Sequence, residues 1–168
     1  MRSLFVRDDK NNTQDMIEIE RYCVRGVIIK DGKIAVQKGR IGDYKILGGG
    51  MEPNEDIAVA LAREVEEESG LVIKKDSIRE IGEILEIRRD IFEDDKKYVC
   101  HSWFYFCDVE NELRETHMTA SEIEKGYHLY WASFDEMIKG NEPFMHQPWI
   151  YRDTEFVKML KDGRIKDV

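Results

Sequence analysis

A chain of 168 residues that is 42% hydrophobic and 36% charged has the material for one substantial core, so a single domain is expected. Its formal charge of −9 works against a nucleic-acid polymer as partner, since that binding relies on Lys and Arg neutralising many phosphates; a small phosphorylated substrate stays open, because a divalent cation can reverse charge locally. Cys23, Cys100 and Cys107 have no metal-ligand spacing and cannot all pair, the N-terminus has no signal-peptide core, and no stretch reaches the about 18 apolar residues of a membrane span, so a soluble, cytoplasmic protein without a membrane partner is expected.

Residues 1–20 are polar and weakly patterned and read as an N-terminal extension: an edge strand, an arm at a homodimer interface or a partly disordered segment. The domain proper is expected over residues 21–168. RYCVRGVIIK and KIAVQK are β-rich runs separated by Asp31-Gly32, a two-residue hairpin signal of type I′ character. The segment GRIGDYKILGGGMEPNED, dense in Gly, Asn, Asp and Pro, leads into IAVALAREVEEES, a run of helix formers closed by Gly70, a residue suited to the left-handed position past a helix end. LVIKK, SIREIGEILEIRRDIF and KKYVCHSWFYFCDVE then read as strands, the last two joined by the turn EDDKK. NELRETHMTASEIEKG is polar and loop-like, HLYWAS reads as a short strand, and FDEMIKG as a short helix starting near Ser133. A final amphipathic helix is expected over TEFVKMLKD, where Phe156, Met159 and Leu160 recur at helical spacing. Strands interleaved with a few helices point to an α/β (α+β) sandwich with a mixed sheet.

Chemistry concentrates at the end of the central helix, where Glu64, Glu66, Glu67 and Glu68 crowd together. Their mutual repulsion is unfavourable, and they occupy the C-terminal half, where the helix dipole is itself negative. A projection at about 100° per residue sets Glu64, Glu67 and Glu68 on one arc beside the apolar stripe of Ile57, Leu61 and Val65, while Glu66 points away. Converging carboxylates next to a buried face call for a cation, and hard oxygen ligands suit Mg²⁺, with Mn²⁺ as the alternative. A solvated charged face is the competing reading of such a helix.

The surrounding residues decide between the two. Gly49, Glu55, Arg63-Glu64-Val65, Glu67-Glu68 and Gly70-Leu71 match the Nudix box, G-x5-E-x7-R-E-U-x-E-E-x-G-U with U a bulky aliphatic, at all nine specified positions. The hairpin, the KILGGGMEP approach, the later long strands and the Trp131 segment extend the resemblance over roughly residues 21–162, with Leu47 standing where many relatives have proline. The resemblance implies a Nudix-type α/β/α sandwich with a mixed central β-sheet. It also implies a hydrolase that cuts a phosphoanhydride bond in a nucleoside diphosphate linked to another group, by metal-activated water.

Carried over residue by residue, the resemblance implies Glu64, Glu67 and Glu68 as metal ligands, joined by the backbone carbonyl of Gly49. Glu55 and Arg63 are expected to support the site as an ion pair, and Gly50 to let the backbone approach phosphate. The proton acceptor is a box glutamate or one from a later loop; the later candidates are Glu124, preferred, and Glu122. Arg25 is a candidate for phosphate contact, and Trp103 and Tyr105 for stacking on a base, with core packing the competing reading for both aromatics. The downstream cues of ADP-ribose and dinucleoside polyphosphate hydrolases are missing, which leaves a nucleoside triphosphate-type pyrophosphohydrolase as the expectation. An ADP-ribose or nucleotide-sugar hydrolase and a non-catalytic nucleotide sensor are the alternatives.

Overall fold

The computed structural model describes residues 1–167. Ten strands are present: β1 (Ser3–Asp8), β2 (Ile17–Val27), β3 (Ile29–Lys30), β4 (Lys33–Lys38), β5 (Tyr44–Gly50), β6 (Leu71–Ile73), β7 (Arg79–Arg89), β8 (Lys96–Phe106), β9 (Val109–Leu113) and β10 (His128–Ala132). The main sheet runs β1-β7-β8-β2-β5-β4-β10 with β3 attached to β4, and β6 and β9 form a separate pair. It is a mixed sheet: β1 lies parallel to β7 and β2 parallel to β8, and its other pairings are antiparallel. The first residues of the chain therefore close one edge of the sheet through β1.

Four α-helices flank it: α1 (Ile57–Ser69), α2 (Ala120–Glu124), α3 (Phe134–Asn141) and α4 (Pro148–Lys161). The period-two alternation of the strands sends successive side chains to opposite faces. Val24, Leu47 and Tyr105 meet Leu61 and Val65 of α1 on one face, whereas Val27, Ile46 and Phe104 meet Met137 of α3 and Phe156 of α4 on the other. Each fully buried Leu or Val of this kind contributes about 1.5–3 kcal/mol. Gly26 of β2 lets α1 come close, because a Cβ there would press on Val65.

Helix α1 starts where Asp56 accepts hydrogen bonds from the N–H groups of Ala58 (2.9 Å) and Val59 (3.2 Å), satisfying donors that the first turn leaves free. It ends at Gly70, in the left-handed conformation at φ 76°, whose N–H bonds the Glu66 carbonyl. The Asp31-Gly32 turn has positive φ at both residues, as type I′ requires, and joins β3 to β4. The long strand β2 does not continue into that hairpin. It pairs with β8 and β5, and the chain breaks ladder at Ile28 before β3.

Two segments differ from the sequence reading. The stretch expected to be a loop, residues 111–126, contains the end of β9 and all of α2. β9 is largely exposed, so no apolar alternation marks it, and α2 spans five residues held by a capping box between Thr119 and Glu122. The last helix begins at Pro148, a turn and a half ahead of TEFVKMLKD, because buried Arg152 and Asp153 interrupt the apolar stripe.

Those polar residues mend a split in the sheet. Strand β5 pairs with β2 only through Leu47–Gly50, while Tyr44–Ile46 turn to β4. The Ile46 N–H then donates to Asp153 (2.9 Å) and the Tyr44 N–H to Asn141 (2.8 Å). Asn141 also donates to the Tyr44 carbonyl and to Thr154, both at 3.0 Å. Backbone groups left behind by diverging strands are thus paired by side chains from α3 and α4.

Candidate active site

Beside this split lies a cavity of about 430 Å³. Glycines Gly48 to Gly50 form one end of its floor, and Glu64, Glu67 and Glu68 of α1 reach it from the side. Gly48 sits at φ 134° with its missing Cβ directed at the Val24 carbonyl, a position that a side chain would disrupt. At Gly49 a Cβ would run into the Glu64 carboxylate, so the absence of a side chain brings backbone and carboxylate together.

Glu68 is buried and accepts the Gly48 N–H at 2.8 Å. Burial pushes its carboxyl up to about 8, while that hydrogen bond and the charges of Lys45 and Arg25 pull it down. Burial likewise raises Glu64, against the pull of Arg63. Glu67 is more open, its side chain 40% exposed. Glu66 points outward to an exposed ion pair with Arg114 at 3.2 Å.

Arg63 ties the parts together. Its Nε and Nη2 donate to the two oxygens of Glu55 at 2.8 and 2.9 Å, its Nη1 to Glu64 at 2.6 Å, and its Nη2 also to the Gly50 carbonyl at 3.2 Å. Glu55 further accepts the Glu52 N–H at 2.8 Å, so the loop before α1 is clamped onto the helix. The Arg63 guanidinium, and after it the Glu52 N–H, holds the Glu55 carboxyl below its usual range.

Among the described residues no three His, Cys, Asp or Glu side chains already converge tightly enough to enclose a metal ion. The donor chemistry nonetheless fits a hard divalent cation. Two carboxyls held up by burial and a third nearby line one end of the cavity, next to the backbone of Gly49. Arg63 engages one oxygen of Glu64, and the other is directed toward Gly49.

The remaining candidates separate clearly. Arg25 lines the cavity and donates to the Gly48 carbonyl at 2.6 Å, with its buried Nε unpartnered. Glu122 also lines it, one carboxylate oxygen accepting the Thr119 N–H at 2.8 Å. Glu124 is exposed and outside the cavity; its backbone carbonyl, at 2.8 Å from Arg40, is what contacts the fold. Of the two later glutamates, Glu122 is the one that lines the cavity. Tyr105 is 5% exposed in the core under α1, and Trp103 lies on the same sheet face, its indole N–H donating to Glu83 at 2.7 Å. Neither lines the cavity, which opens on the opposite face.

The sequence reading did not identify several cavity residues. Lys45 lies over the Tyr127 ring at 4.3 Å, and burial lowers its pKa. Arg21, Glu86, Arg152 and Trp149 also line the walls; Arg88, which the sequence does offer as a phosphate contact near a strand end, lines them too, its guanidinium stacked on Tyr98 at 4.2 Å. Cys23 and Cys100 lie in the floor with sulfurs 3.9 Å apart. No local motif marks these residues, because strand register and the docking of α4 bring them together.

A family model described as NUDIX domain matches residues 21–152. The fold is similar to the solution structure of the E. coli ORF135 protein, at 21% identity, 94% coverage of this chain, 100% of that chain and a TM-score of 0.53. It is similar to a NUDIX hydrolase from Nitrosomonas europaea, at 19% identity, 89% and 94% coverage and a TM-score of 0.60. A MutT protein from Bacillus halodurans is also similar, at 17% identity, 83% and 81% coverage and a TM-score of 0.54. A search of the curated proteins finds no match.

Proposed function

Because the chain belongs to the NUDIX family and is a hydrolase of phosphorus-containing anhydrides, we propose that it acts on nucleoside triphosphates as a Mg²⁺-dependent pyrophosphohydrolase. The observation that carries this reading is that five cationic side chains share one cavity with the box carboxylates. Arg21, Arg25, Lys45, Arg88 and Arg152 line it together with Glu64, Glu67 and Glu68 and with Glu86 and Glu122, in a protein whose net charge is −9. Cationic side chains concentrated in one cavity of an acidic molecule suit a polyphosphate that arrives with its own divalent ion.

Glu64, Glu67 and Glu68 would hold the cation, with the Gly49 carbonyl as a further ligand. Bound Mg²⁺, or Mn²⁺, supplies charge neutralisation at the diphosphate and acidifies water. Arg25 and Lys45 orient phosphate oxygens next to the glycine floor, where the backbone admits close approach. Glu122, which lines the same cavity, would take the proton from the attacking water, and Arg63 keeps α1 and the glycine loop in register through Glu55 and Gly50. Retention of every box glutamate weighs against a binding-only sensor.

The test is a panel of ribo- and deoxyribonucleoside triphosphates, ADP-ribose and nucleotide sugars incubated with Mg²⁺ or with EDTA, with products resolved by chromatography. The expected result is Mg²⁺-dependent conversion of a triphosphate to the monophosphate and pyrophosphate. Turnover confined to ADP-ribose or a nucleotide sugar would retain the hydrolase and replace the substrate; no turnover of any member would remove the pyrophosphohydrolase reading.

A further inference from the structure

The cavity floor crosses four adjacent strands. Gly50 of β5 pairs with Cys23 of β2, Arg21 two residues earlier on β2 pairs with Cys100 of β8, and Cys100 pairs with Glu86 of β7. Three strand spacings set the glycine end roughly 14 Å from the β7 end. This is about the reach of a nucleotide from its diphosphate to the far edge of its base.

At that far end stands a group with no assigned work. Glu86 is 3% exposed, lines the cavity, and its Oε1 has no hydrogen-bond partner. Two residues along the same face of β7, the Nε of Arg88 is likewise buried and unpartnered, and its guanidinium lies on the Tyr98 ring. A buried acceptor and a buried donor left open side by side cost stability unless something completes them, and a cavity wall is where a ligand can do so. Burial also raises the Glu86 carboxyl, against the opposing charges of Arg152 and Arg88.

Resting on the nucleotide reading above, we infer that Glu86 and Arg88 form a base-recognition subsite specific for nucleobases bearing an exocyclic amino group, Glu86 accepting from the amino N–H and Arg88 donating to the adjacent ring or oxo acceptor. Uracil and thymine present an oxo group where cytosine presents its amino group, and an oxygen there meets the Glu86 oxygen with no hydrogen between them. Hypoxanthine lacks the 2-amino group of guanine and leaves the carboxylate with one donor fewer. A site built to pair a polar group discriminates strongly against an analogue that lacks it, because the buried partner is then left bare.

Matched pairs test this directly: CTP against UTP, and GTP against ITP, as kcat/KM ratios for wild type and Glu86→Gln. Binding of the corresponding monophosphates, read by quenching of the protein's tryptophan fluorescence (Trp149 lines the cavity) in the absence of metal, gives a readout independent of turnover. Wild type is expected to favour the amino member of at least one pair by about tenfold to a hundredfold in both measurements. Glu86→Gln, which offers an amide in place of the carboxylate, is expected to level that ratio. Equal treatment of both members of both pairs by wild type, or an undiminished ratio in Glu86→Gln, would overturn the subsite. Should Glu86→Gln fail to fold by circular dichroism, the wild-type ratios alone decide. Selective monophosphate binding without triphosphate hydrolysis would uphold the subsite and reject the pyrophosphohydrolase reading, so the two fail separately.

Discussion

Arg63 contacts Glu55, Glu64 and the Gly50 carbonyl at once, and only the planar fork of a guanidinium can span all three. Arg63→Lys keeps the charge and loses the fork; kcat/KM is expected to fall about 10- to 100-fold, as for other groups that orient ligating side chains. Activity near wild type would show that the clamp is dispensable. Elsewhere, His101 bridges Glu83 (3.0 Å) and Glu20 (2.9 Å) and stacks on Tyr22 at 4.6 Å. Burial works to lower its pKa, but the two carboxylates outweigh burial and hold it above the ordinary value. A histidine raised in this way contributes stability that is complete below its unfolded value of about 6.5 and is lost as pH rises through the folded value. The melting-temperature gap between wild type and His101→Gln is therefore expected to be largest near pH ~5.5 and to shrink toward pH ~9; a gap that widens with pH would refute this assignment. At this scale the box residues were legible because their spacing is local. Glu122 was separable from Glu124 only once α2 had formed, since one turn of helix decides which carboxylate looks into the cavity.

Among the elements, α4 does more than cover the sheet. Asp153, with no side-chain exposure, holds Arg152 at 2.8 Å and takes the Ile46 N–H released where β5 leaves β2. Asp153→Ala strands a buried guanidinium and a buried N–H together, and a loss of about 3–5 kcal/mol is expected in urea unfolding. A loss below about 1 kcal/mol would mean that the pair is no stronger than a surface bridge. Helix α1 was legible in full because periodicity, glycine stop and box coincide on it. The beginning of α4 was not, because Arg152 and Asp153 read as a polar break although they are buried. The strand aromatics show the same limit. Alternation correctly puts Trp103 and Tyr105 on one face and Phe104 and Phe106 on the other, yet which face holds the cavity follows from how α1 and α4 dock.

Over the whole molecule, charge is sorted. The sequence shows an acidic chain with pI near 5.0, and its fold gathers Arg21, Arg25, Lys45, Arg88 and Arg152 around one cavity of about 430 Å³. Composition shows the acidic balance of the chain and conceals this gathering of cationic side chains, because the five residues come from four different elements. Among the described residues no helix is long and apolar enough to cross a membrane. In the proposed reaction Glu67, with its neighbours Glu64 and Glu68, is the chemical centre of this cavity. Glu67 is the most exposed of the three, so Glu67→Gln changes charge with little cost to packing. The decisive measurement is the Mg²⁺-dependent kcat of Glu67→Gln beside wild type on the best triphosphate, with melting temperatures recorded for both: a fall of about 10²- to 10⁴-fold with the fold retained is predicted, and unchanged turnover would contradict the account.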